Sequence, residues 1–126
     1  MASKARPKMK QSVAKLRGVA RERAVFTSEL VGRNYAPEAA EFVALAVYPL
    51  EDDIETTAAL NKEINSVAMD VSALVETANT GAAVNAAAMA FHAYRALAVE
   101  HDNAAYIARF DETIVGMARL EERFGA

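Results

Sequence analysis

Eight cations, Lys4, Arg6, Lys8, Lys10, Lys15, Arg17, Arg21 and Arg23, face a single acid, Glu22, within the first 24 residues, a local charge of +7. The rest of the 126-residue chain reverses the sign, with 6 basic and 16 acidic side chains and a charge of −10. Lys and Arg gathered in this way are equipped to neutralise phosphates. Each contact releases counterions, so binding is strong, independent of sequence and weakened by salt. No aromatic side chain lies between residues 1 and 25 to stack on bases, which favours duplex backbone contact over single-strand readout. Anionic headgroups attract the same pattern of cations beside an apolar stripe, so contact with a membrane or envelope is a second possible partnership.

Other chemistry is poorly represented. His92 and His101 lie nine residues apart, outside any spacing that aims two ligands at one metal, so no metal site is expected. A partly buried His92 beside Phe91 and a solvated His101 near a helix junction are the expected placements. Glu38 with Glu41, Asp52 with Glu55, and Asp111 with Glu112 are paired carboxylates, which perform acid–base work only when burial or a neighbour separates their pKa values. Surface solvation or helix-start electrostatics accounts for them, and the acids at 51–55 lack the glycine and ligand spacing of a calcium loop. Glycines 18, 32, 81, 116 and 125 are too scattered for a phosphate loop, and the serines have no nucleophile context. With no cysteine, disulfides and thiolate metal sites are excluded. The expectation is a non-enzymatic protein with no catalytic residue and no cofactor.

The elements that must carry the cations read as helices throughout, with no alternating strand pattern. The chain is the size of one domain and, at 53% apolar, can form a core. The longest uncharged stretch, 77–94, is mostly alanine broken by polar residues and makes a poor membrane span. The N-terminus lacks the apolar segment of a secretory signal, although its basic composition overlaps with transit peptides. Residues 8–31 read as a helix with Met9, Val13, Leu16, Ala20 and Ala24 on one stripe and cations on both flanks. Gly18 weakens it or admits a close neighbour. Gly32 as C-cap and Pro37 as the first residue of the next helix mark the division between an arm, 1–33, and a body, 34–126.

In the body, a continuously apolar helix from Pro37 to about Tyr48 is ended by Pro49. A long helix from Leu50 follows, its first turn crowded by Glu51, Asp52, Asp53 and Glu55, and its seam formed by Thr57, Leu60, Ile64, Val67, Val71, Leu74 and Ala78. Asn79-Thr80-Gly81 stops it. An alanine-rich helix runs from Ala82 to about Val99. Asp102 is the expected N-cap of a last helix with Ile107, Phe110, Ile114, Met117 and Phe124 on one face, unless residues 100–103 continue a single helix. The fold class is therefore all-α, a basic helical arm followed by a compact antiparallel helical bundle. Its expected core is Val43, Leu60, Ile64, Val67, Val71, Phe91, Phe110 and Ile114.

The cations from Lys4 to Arg23, the Asn34-Tyr35-Ala36-Pro37 break and the helical body from Pro37 to Phe124 together resemble the major capsid proteins of filamentous double-stranded DNA viruses of archaea. The likeness is one of architecture along the whole chain and involves no diagnostic motif. It implies a structural protein of the virion, working as a homo-oligomer or as a heterodimer with a related subunit. Arms would wrap double-stranded DNA while bodies form the wall of a helical filament. By that resemblance the arm cations neutralise phosphates and Met9, Val13, Leu16 and Ala20 pack against neighbouring subunits. Two other readings are a small dimeric, cytoplasmic DNA-binding regulatory or accessory protein, and an adaptor on anionic membranes.

Overall fold

The computed structural model describes residues 18–125. All regular structure among them is helical: α1 (Gly18–Gly32), α2 (Pro37–Val47), α3 (Ala58–Val75), α4 (Thr80–Glu100) and α5 (Ala104–Phe124). They pack as a helical bundle, the expected fold class.

The organising element is α2. A helix with an apolar face too wide for one exposed side is drawn inside a protein, and α2 buries Ala39, Ala40, Phe42, Val43, Ala44, Ala46 and Val47, leaving Pro37, Glu38 and Glu41 exposed. Every other helix of the described residues packs against it. Small residues on α4, among them Ala83, Ala87, Ala88 and Ala98, let α3 and α5 approach closely. Aromatic rings fill the remaining space. Phe91 stacks on Phe42 at 5.5 Å between centroids, Tyr94 lies 5.6 Å from Phe110, and Phe110 stacks on Tyr106 at 5.3 Å. Buried tyrosines need partners for their hydroxyls. The Tyr94 hydroxyl donates to the Ala46 carbonyl at 2.5 Å, and the Tyr106 oxygen accepts from the Glu51 backbone N–H at 2.9 Å.

Six of the eight expected core residues are buried, and Val67 and Ile114 pack half-exposed against that core. The inward face of α3 runs through Leu60, Ile64, Ala68, Val71 and Val75, which leaves Leu74 half-exposed, contrary to the expected seam.

Several boundaries also differ from the sequence reading, each through a polar side chain with a better position. The helix expected from Leu50 begins at Ala58, because Thr57 caps it by accepting from the Leu60 N–H at 3.1 Å. The acids at 51–55 therefore lie in a loop, not in a helical first turn. Asn79 starts α4 instead of stopping α3, its side-chain oxygen accepting from the Ala82 N–H at 2.9 Å. Asp102 is not the last N-cap; Asn103 is, accepting from the Tyr106 N–H at 3.0 Å. Asp102 instead takes the left-handed conformation that closes α4, φ 53°, with Asn103 N–H donating to Ala98 O at 2.9 Å. The same 6→1 closure ends α1, where Asn34, φ 72°, replaces the expected Gly32 and Tyr35 N–H donates to Leu30 O at 3.0 Å.

Candidate nucleic-acid interface

Of the eight expected phosphate ligands, Lys4, Arg6, Lys8, Lys10, Lys15 and Arg17 lie outside the described residues. Arg21 and Arg23 fall on α1, two residues apart and hence on different faces. Arg21 is exposed. Arg23 turns into the body, where its Nε donates to Tyr48 O at 2.7 Å and its Nη2 to Leu50 O at 3.2 Å. Nη2 also meets Glu51 Oε2 at 3.0 Å, and the same oxygen accepts from Arg109 Nε at 3.1 Å. With 18% of its side chain exposed, Arg23 is a strut between α1 and the 48–57 loop.

The rest of α1 explains why the strut is placed there. Val19, Arg23, Phe26, Thr27 and Leu30 are the shielded positions, spaced by three and four. Phe26 meets Tyr48 edge-on at 5.9 Å, and Leu30 is fully buried. At the start of α1 the Val19 N–H donates to Asp52 Oδ2 at 3.2 Å, so the acidic loop caps the helix from across the fold. Gly18 has a positive φ of 54°, and a Cβ there would collide with the Asp52 carboxylate. Its glycine is required by this close approach, one of the two roles read from the sequence. Ala20 and Ala24, by contrast, are exposed. Met9, Val13 and Leu16, the other members of the expected stripe, lie outside the described residues.

Most other cations of the described residues bind the bundle together. Arg33 donates to the carbonyls of Val75 and Glu76 at 2.9 and 3.2 Å, closing the end of α3. Arg95 pairs with Asp111, Arg123 with Glu38 and Arg109 with Glu112. These contacts also account for three of the carboxylates singled out as possible acid–base pairs. Residues 18–125 carry eight basic and 17 acidic side chains, a net of −9, whereas residues 1–17 carry six basic and no acidic ones. The positive excess therefore ends at Arg23, and α1, which carries its last members Arg21 and Arg23, is tied to the body at Val19 by Asp52 and, one turn later, by Arg23.

The histidines also differ from expectation. His92 is exposed on α4 instead of partly buried. His101 is half-shielded, with Nε2 2.8 Å from Glu63 Oε2, a partner 38 residues away that no sequence spacing identifies. Burial pushes up the pKa values of Tyr35, Tyr94 and Tyr106. Tyr35 and Tyr94 donate to main-chain carbonyls, Ala78 and Ala46. No helix of the described residues is long and apolar enough to cross a membrane.

No family model, curated protein or solved structure matches the chain.

Proposed function

We propose that this protein is a non-enzymatic DNA-packaging subunit, in which a basic arm binds duplex DNA without sequence preference and an acidic helical body contacts other copies. The observation that carries the reading is the charge asymmetry along the chain, +7 over residues 1–24 against −10 over the rest, with α1 at the junction fixed to the body. Six cations precede α1 in the sequence, and the residues after Arg23 carry a net negative charge. Such a molecule attracts a polyanion at one end and repels it elsewhere, which orients it on DNA. The exposed Ala20 and Ala24 offer a neighbouring subunit small apolar positions on α1 that the fold does not consume. The resemblance to filamentous viral capsid proteins extends this to a helical sheath around DNA. Arg21 belongs with the six arm cations as a phosphate ligand, whereas Arg23 is assigned to the body.

The test is duplex binding across a salt series, with the full-length protein compared to a variant carrying Gln at Lys4, Arg6, Lys8, Lys10, Lys15 and Arg17. If all six residues and Arg21 touch phosphates, the slope of log K against log salt is about −6, and the variant loses about 5 of it. A flat slope, or undiminished binding by the variant, overturns DNA as the partner. Negative-stain microscopy with DNA checks the packaging role. Binding without regular filaments would reduce the protein to a DNA-binding accessory protein.

A further inference from the structure

We infer that Glu63, Glu100 and His101 form a site for one divalent transition-metal ion, with zinc as the first candidate. This goes beyond the DNA reading and does not depend on it. The donors come from two parts of the fold: Glu63 from the middle of α3, Glu100 and His101 from the last residue and C-cap of α4. His101 Nε2 and Glu63 Oε2 are 2.8 Å apart, and one donor atom from each of the three residues lies within 4.8 Å of the others. Zinc bonds of about 2.0–2.2 Å place tetrahedral donors about 3.3–3.6 Å apart. Small rotations of the two glutamates, which both reach solvent, bring the cluster to that size, the 2.8 Å His101–Glu63 hydrogen bond opening slightly as the ion replaces it.

The donor chemistry selects the class of ion. One imidazole nitrogen with two carboxylate oxygens suits zinc and its neighbours, whereas calcium and magnesium favour all-oxygen sites. The electrostatics also favour a cation. Among the described residues no Lys or Arg forms an ion pair with Glu63 or Glu100, and the negative end of the α4 dipole emerges beside them. The nearby Asn103 is committed elsewhere, capping α5 through its oxygen and donating from its nitrogen to Glu55 O at 3.0 Å. Three protein donors leave a fourth position for water. An ion bound there joins α3 to the turn between α4 and α5, adding to the His101–Glu63 contact.

The experiment is calorimetric titration of tag-free, full-length protein with zinc chloride in a non-coordinating buffer, alongside melting curves with and without the metal. One ion per chain is expected, with affinity lowered at least tenfold by His101→Ala and by Glu63→Gln. His92→Ala, on the same helix but outside the cluster, should bind as the unaltered protein does. Zinc should raise the melting temperature of the unaltered protein and not that of His101→Ala. The Glu100 side chain makes no hydrogen bond or ion pair among the described residues, so Glu100→Gln tests the site even if the other variants fold poorly, and it too should bind more weakly. Absence of saturable one-to-one binding overturns the proposal. So does a His101→Ala variant that titrates like the unaltered protein, or a loss in His92→Ala equal to that in His101→Ala.

Discussion

Arg21 and Arg23 differ in sequence by two positions and in the structure by their surroundings, one exposed and one bonded to the body, so replacing each with Gln should give opposite results. Arg23 makes three bonds, to Tyr48 O, Leu50 O and Glu51 Oε2, from a side chain 18% exposed against a carboxylate 12% exposed. Hydrogen bonds from charged groups contribute about 1.5–3 kcal/mol each when buried. Water can reach the two carbonyls once the guanidinium is gone, and Arg109 still holds Glu51. Arg23→Gln is therefore expected to destabilise by about 2–3 kcal/mol in total rather than by the full sum. For a chain of this size that lowers the melting temperature by about 6–12 °C. Arg23→Lys should also lose most of this stability, because an ammonium cannot reproduce the planar fork. Neither variant should change the salt slope of DNA binding. Arg21→Gln should leave melting unchanged and reduce the slope by about 0.9, one phosphate contact. Calorimetric melting and a salt series on the same preparations measure both quantities. An Arg23→Gln variant that melts normally but loses one unit of slope would refute the assignment of Arg23 as a strut.

Phe110→Ala removes the ring that packs on Phe91, Tyr94 and Tyr106 and should cost about 3–5 kcal/mol, seen by denaturant unfolding; a cost below about 1 kcal/mol would show that these rings do not form the core. Asn34→Val and Asp102→Val place a branched side chain at positive φ and should each destabilise by about 1–2 kcal/mol, while Gly at either position should be close to neutral in the same assay. Burial raises the pKa of Tyr35, Tyr94 and Tyr106, so the folded state holds these protons after the unfolded chain releases them. Stability from the neutral hydroxyls is thus complete below about pH 10, the unfolded value, and falls as pH rises above it. Alkaline titration followed by tyrosinate absorbance should show Tyr94 ionising together with unfolding, and Tyr94→Phe should remove that coupling. Ionisation of every tyrosine before any loss of helix would contradict the burial of Tyr94.

The sequence by itself determined that the body is helical, that the chain changes charge near its N-terminus, and which apolar residues form most of the core. Periodicity records which side of a helix is dry, so Leu60, Ile64, Val71, Phe91 and Phe110 were legible before any packing was known. α2 was legible too, since an unbroken apolar run cannot face water. Local sequence was less informative about ends, because several polar residues near each end can cap a helix and only the path of the chain chooses among them. That is why Asn34 took the place of Gly32, Asn103 that of Asp102, and Thr57 that of the acids before it. The roles of individual charges were decided by tertiary structure alone. Arg21 and Arg23 are alike in composition and neighbourhood, yet Tyr48, Leu50 and Glu51 meet only one of them. Likewise His101 lies 38 residues from Glu63, and their encounter depends on how α3 docks beside the end of α4. A side chain's charge is a property of its residue, but its partner is a property of the fold, since ion pairs and ligand clusters form across distances that no local pattern encodes.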